Sequence, residues 1–291
     1  MTTTQKKESP SRLATAFLNG MCVGRPLIIP FVTAGFPDKR STPSVVEAMG
    51  LAGADVVEIG IPFSDPLADG PTIQRSSEVA LEGGMTVAGV LEIVESIRKG
   101  DAARELPIVL MGYFNPLLAY GLERFLDDAK AAGVDGLILP DVPPEEGRDY
   151  RAACVERDLS ATFLVAPNAP DERIRLVDQF STHFSYCVTV TGVTGARSDV
   201  QGRTLEFLRR VRSLALKPFV VGFGIKEAAH ILELGPHADG VVVGSALIDA
   251  VSQGGEPAAA AAELIAPLRG AAEQVAAERV TKGTDDVHDE T

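Results

Sequence analysis

Short β-branched runs alternate with helical patterns along most of the chain, the order of elements expected of βα units around a parallel sheet. Eight runs read as strands: "LIIPFVTAG" (27–35), "DVVEIGIPF" (55–63), "PIVLMGYF" (107–114), "GLILPD" (136–141), "ATFLVAP" (161–167), "FSYCVTV" (184–190), "PFVVGFG" (218–224) and "GVVVGSA" (240–246). Between them, apolar positions predict helices near 41–52, 72–99, 119–132, 145–157, 171–180, 203–215, 226–234 and 257–277, with one more near 10–20. Three segments, "AGADVVE", "AAGVDGLIL" and "GPHADGVVV", share a logic in which a left-handed Gly ends a helix, Asp follows and an apolar strand begins. Such quasi-repetition suits a closed ring.

Eight units fill one (β/α)₈ TIM barrel of about 250 residues. The expected organisation is a single barrel over 9–279 with an extra N-terminal helix, between a disordered tail at 1–8 and a disordered acidic tail at 280–291. The alternative, an open doubly wound sheet, needs a G-x-G-x-x-G after the first strand, which "VTAGFPDK" does not supply.

Composition narrows the partners. A net charge of −13 over 291 residues disfavours nucleic acid and anionic membranes, both of which are held largely through Lys and Arg. The opening "MTTTQKKESPSRL" lacks the apolar core of a secretory signal, and a cytoplasmic protein is expected. Cys22, Cys154 and Cys187 are widely spaced and read as reduced, mostly buried thiols. The four histidines show no metal-ligand spacing, so no metal centre is expected.

Candidate chemistry starts at "VVEIGIPFSDPLADG" (56–70). Alternation sends Val56, Glu58 and Gly60 to one face and Val57, Ile59 and Ile61 to the other. The Ile/Val set suits the helices, so Glu58 points into the barrel near the catalytic end of its strand. Burial there raises a carboxyl pKa and makes a proton shuttle for neutral pH; a Glu satisfied by a buried Arg or by backbone N–H groups is the other reading. The following loop, with three prolines around Asp65 and Asp69, is long for a βα connection and suits a lid, although either Asp could simply form the turn.

Glycines gather where the last three strands end, in "TGVTGAR" (191–197), "GFGIK" (222–226) and "VGSALI" (243–248). Barrel enzymes commonly hold phosphate there with backbone amides. Gly195, Gly224, Gly244 and Ser245 are the candidate donors. Thr194 and Arg197 lie on the long sixth loop, a second candidate lid. Tyr186 faces either the pocket or the core.

Together "FVTAGFPD", "ADVVEIGIPFSDPLADGPTIQ", "LMGYFNPLLAYG", "DGLILPDVPPEE", "TGVTGAR", "VGFGI" and "VVVGSALI" resemble the α subunit family of tryptophan synthase, in order, over roughly 10–270. The resemblance implies cleavage of indole-3-glycerol phosphate to indole and glyceraldehyde 3-phosphate. It makes Glu58 the proton shuttle and Asp69 the carboxylate that holds the indole N–H. Phe31 and Tyr113 would line the indole slot, Tyr186 would sit beside the shuttle, and Thr194 would close the sixth loop over Asp69. The resemblance also implies an αββα complex in which indole passes to a β subunit. Pyridoxal phosphate would belong to that partner, with no cofactor in this chain. The partner-facing residues would be Pro62, Asp65, Pro66, Asn115 and Pro116. One departure is "CVTVT" before "GVTG", where relatives often have serine or arginine. A stand-alone indole-releasing lyase, a non-catalytic allosteric partner of the β subunit, and another phosphate-handling barrel are the competing readings; the last would want a Lys or an Asp pair at strand ends.

Overall fold

Among the described residues, nine short parallel strands carry the apolar runs: β1 Leu27–Thr33, β2 Val57–Gly60, β3 Ile108–Met111, β4 Gly136–Ile138, β5 Ser160–Thr162, β6 Leu164–Val165, β7 Ser185–Val188, β8 Phe219–Gly222 and β9 Gly240–Val243. The computed structural model describes residues 10–188, 197–222 and 224–288, with 197–201 and 282–288 as backbone only. The helices are α1 Arg12–Cys22, α2 Ser41–Leu51, α3 Pro71–Glu82, α4 Val87–Lys99, α5 Phe114–Tyr120, α6 Leu122–Ala132, α7 Arg148–Glu156, α8 Asp171–Phe180, α9 Arg197–Leu214, α10 Ala228–Leu234, α11 Ser245–Ser252 and α12 Pro257–His288. Among the described residues, no helix is long and apolar enough to cross a membrane.

The sheet order is β5-β4-β3-β2-β1-β9-β8-β7-β6. Its two ends are consecutive in the chain, separated only by Phe163, so the ring closes covalently. β5 and β6 are the two halves of the expected fifth strand. The ladder breaks because the Phe163 N–H donates to Ser181 Oγ (3.1 Å), while the Phe163 carbonyl still accepts from Tyr186 N on β7 (3.1 Å). The fold is therefore the expected (β/α)₈ barrel, with α2 packed against α12 where the first and last units meet. Ahead of it, α1 crosses the N-terminal end of the barrel and stacks Phe17 on Phe184 at 5.0 Å.

The Gly-Asp repeat turns out to join strands in pairs. Asp55 N–H donates to the Ile28 carbonyl (2.9 Å), and Asp55 Oδ2 accepts from Ile28 N (2.9 Å). Asp135 does the same with Ile108 (2.9 and 2.8 Å), and Asp239 with Phe219 (3.0 and 2.9 Å). Thr182 fills the fourth such place against Ala161, at 2.9 and 3.1 Å. In the eight-strand ring, each even-numbered strand thus grips the strand before it. The three carboxylates are neutralised by arginines: Arg25 on Asp55 at 2.7 Å, Arg98 on Asp135 at 2.8 Å and Arg212 on Asp239 at 2.9 Å.

Several boundaries differ from the sequence reading. The helix over 72–99 is two, separated at Gly83 and Gly84 (φ +78°), with Thr86 Oγ1 capping α4 by accepting from Gly89 N. Gly121 (φ +97°) likewise separates α5 from α6. Gly53 and Gly133 adopt the left-handed conformation, at φ +104° and +93°. Gly235 does not: at φ −55° it begins a 3₁₀ turn. The last helix continues to His288, past residue 279 where the barrel was expected to end. The eighth strand stops at Val243, and Ser245 already belongs to α11. Cys154 and Cys187 are buried thiols, whereas Cys22 is exposed.

Candidate active site

The C-terminal ends of the strands surround a cavity of about 570 Å³. Glu58 enters from β2, Asp69 from the loop after it, Phe31 from β1 and Tyr186 from β7. Met111, Pro140, Leu164 and Val188 give the lining its apolar wall, and Gly222, Gly224, Gly244 and Ser245 also line it, with little or no side chain. One pocket therefore offers two carboxyls, an apolar slot and a stretch of bare backbone.

Strand register explains how the carboxyl reaches it. Glu58 pairs with Phe31 on β1 and Val109 on β3, in the inward-facing set. A Cβ on Gly60 would lie 2.5 Å from Phe31 Cζ, so glycine at 60 lets the Phe31 ring lie over β2 beside Glu58. Glu58 is 1% exposed, and among the described residues neither carboxyl oxygen has a hydrogen-bond partner. The described residues supply neither the Arg nor the backbone amides of the alternative reading. Burial, reinforced by the negative charge of Asp69, pushes its pKa up to about 8. At neutral pH Glu58 is a protonated acid held in an apolar wall.

Asp69 differs in its support. Burial raises its pKa, but the Tyr113 hydroxyl donates to Oδ2 at 3.0 Å and opposes that rise. The same hydroxyl accepts from Ala68 N at 2.9 Å, and the Phe63 ring lies 5.3 Å from the Tyr113 ring. From the other side, Gln74 Nε2 donates to the Asp69 carbonyl at 2.9 Å. Tyr113, expected in the indole slot, does not line the cavity: its hydroxyl is spent on the loop behind Asp69. Tyr186 does line it. A Cβ at residue 222 would lie 2.7 Å from Tyr186 Oη, so Gly222 leaves room for the phenol.

Gly224 takes φ +48°, a conformation that disfavours any side chain. Gly244 is the N-cap of α11 and Ser245 its first residue. The leading N–H groups of a helix lack intrahelical acceptors and favour an anion, which suits a phosphate at this end. Thr194 and Gly195 lie outside the described residues, and Arg197 is described as backbone only.

Comparisons with known proteins give the family. The family model for the tryptophan synthase alpha chain matches residues 17–277. The alpha chain of Roseiflexus castenholzii is 47% identical over 262 residues, covering 89% of this chain and all of the relative. That of Deinococcus radiodurans is 47% identical over 259 residues, covering 89% and 94%. The chain belongs to the tryptophan synthase alpha chain family. The solved tryptophan synthase subunit alpha of Legionella pneumophila superposes with a TM-score of 0.85 at 32% identity, covering 91% of this chain and 100% of that one. A chain of tryptophan synthase from M. tuberculosis gives 0.81 at 34% identity, covering 91% and 99%.

Of the residues that likeness to tryptophan synthase alpha chains suggested for a partner face, Asp65 and Asn115 are exposed, and Pro66 and Pro116 partly so. Pro62 is buried within this chain and offers no free surface. The apolar wall of Met111, Pro140, Leu164 and Val188 was not singled out from sequence. Alternation along the third strand would have found Met111, two residues from inward-facing Val109, but apolar residues in apolar runs carry no chemical mark.

Proposed function

We infer that this chain catalyses the α reaction of tryptophan biosynthesis, the retro-aldol cleavage of indole-3-glycerol phosphate into indole and D-glyceraldehyde 3-phosphate. The chemistry is redox-neutral. Indole C3 gains a proton, the hydroxyl on the adjoining side-chain carbon loses one, the carbon–carbon bond from C3 to that carbon breaks as its hydroxyl becomes the aldehyde, and the electron pair of the broken bond returns to the ring. One carboxyl can carry both transfers: protonated Glu58 gives its proton toward C3, and the resulting carboxylate takes the hydroxyl proton and is restored. Asp69 accepts the indole N–H and stabilises the positive charge that develops on the protonated ring. Phe31 and Tyr186, with the apolar wall, hold the indole. Gly224, Gly244 and Ser245 take the phosphate through backbone amides.

The observation that carries this reading is the buried acid Glu58, without a hydrogen-bond partner among the described residues, beside Asp69 in a cavity lined by both apolar side chains and glycines. The chain works in the cytoplasm with a β subunit in an αββα assembly, meeting it through Asp65, Pro66, Asn115 and Pro116. Pyridoxal phosphate belongs to that partner, and the carboxyls of this chain need no cofactor for their own step. The test is direct: the isolated chain, given indole-3-glycerol phosphate, should release indole and glyceraldehyde 3-phosphate one for one. Adding the β subunit should raise the rate and give co-elution. Absence of indole under both conditions would sink the assignment; turnover without co-elution or activation would replace it with a stand-alone lyase.

A further inference from the structure

Asp141 lies on the loop beyond β4, exposed and outside the cavity, yet its carboxylate is tied into the support of Asp69. The Phe114 N–H is the first amide of α5, one of those a helix start leaves without an intrahelical acceptor. Tyr113, the N-cap residue, makes no side-chain cap hydrogen bond. The acceptor comes instead from 27 residues further along the chain: Phe114 N lies 3.1 Å from Asp141 Oδ1 and 2.9 Å from Oδ2. Tyr113 is therefore held at both ends. Its backbone adjoins the amide fixed by Asp141, and its phenol accepts from Ala68 N and donates to Asp69 Oδ2.

The proton on that phenol has a defined direction. Tyr113 Oη has one proton to give, and with Ala68 N–H donating to it, that proton goes to Asp69. A tyrosine side chain has only two torsions, and Phe63 packs on the ring, so a shift at the start of α5 moves the hydroxyl with it. The orientation of Asp69 is thus set by where α5 begins.

We propose that Asp141 is a positioning residue for Asp69, acting through the Phe114 amide and the Tyr113 phenol to aim the Asp69 carboxylate into the cavity. This rests on the reading of Asp69 as the carboxylate that receives the indole N–H. Asp141 touches neither substrate nor reacting atoms.

The test measures kcat, KM and thermal midpoint for indole release by the full chain with its β subunit. The variants are Asp141→Ala, Asp141→Asn, Tyr113→Phe, the double Asp141→Ala/Tyr113→Phe, and Asp69→Asn as a control. Asp141→Ala and Tyr113→Phe should each lower kcat about tenfold, as expected for a hydrogen bond that serves a charged group. The double variant should be no slower than the slower single, because both changes interrupt one route. Asp141→Asn retains an oxygen that can accept from Phe114 N–H and should recover most of the rate. Wild-type kcat in Asp141→Ala, multiplying losses in the double variant, or an Asn variant as slow as the Ala variant would each overturn the positioning role. A lowered thermal midpoint with unchanged kcat would make Asp141 a purely structural cap and overturn it as well. Wild-type turnover by Asp69→Asn would instead overturn the underlying reading of Asp69.

Discussion

Glu58 is placed against its own solvation, and that has a measurable consequence for stability. A carboxyl with a pKa of about 8 in the folded chain and an ordinary value near 4.5 when unfolded keeps its proton longer in the native state. Between those two pH values the native state binds more protons, so stability is greatest below the lower value. It falls as pH rises through the window and levels off above about 8. Glu58→Gln removes the titration. The variant's unfolding free energy, relative to wild type, should rise between pH 5 and pH 9 by on the order of a few kcal/mol. Urea unfolding at the two pH values checks this, and a difference that stays constant with pH would show that Glu58 is not held as a buried acid. The sequence made much of this legible, since alternation on one short strand already turned Glu58 inward. What it could not distinguish was an unpaired carboxyl from one satisfied by Arg or backbone amides, because that depends on groups distant in sequence. The family resemblance put Tyr113 in the indole slot, and only the folded loop brings Ala68 and Asp69 to its hydroxyl.

At the level of elements, the clamps at the N-terminal end of the barrel separate stability from chemistry, which sits at the other end. Asp135 accepts from the Ile108 amide and neutralises Arg98, whose side chain is only 11% exposed. Asp135→Ala would leave the Ile108 amide without this acceptor and take the carboxylate from Arg98 and Arg12, at an expected cost of about 3 kcal/mol. Thr182→Ala loses one neutral hydrogen bond and should cost about 1 kcal/mol. Denaturant titration of the two variants checks the ranking, and equal losses would contradict it. The three Asp clamps were visible as a repeated Gly-Asp signature, but their partners on the preceding strand were not. Thr182, in "FSTHFS", carries no such signature and appears only once the strands are in register. The broken fifth strand was hidden likewise, since Phe163 looks like any strand residue until its N–H is seen to leave the ladder for Ser181. The splits at Gly84 and Gly121 were readable in principle, each being a glycine that takes positive φ inside a helical pattern.

For the whole molecule, ring closure is what assembles the site. Glu58 and Asp69 come from the second unit, Tyr186 from the sixth, Gly224 from the seventh, and Gly244 and Ser245 from the eighth, and the sheet order brings all of them to one mouth. No segment carries the function alone, which is why ordered motifs along most of the chain identified it where isolated glycines or carboxylates could not. In the proposed reading the glycines and Ser245 take the phosphate, the apolar side chains take the ring, and the bond to be cleaved lies beside Glu58. The central claim is that this one buried acid moves the protons of the cleavage. Its most direct test is indole release by Glu58→Gln in the presence of the β subunit, alongside the thermal midpoint and co-elution of the same preparation. The variant should fold, bind the partner and release indole at least about a thousandfold more slowly than wild type. A folded, partner-bound Glu58→Gln chain that releases indole at a rate close to wild type would contradict the account.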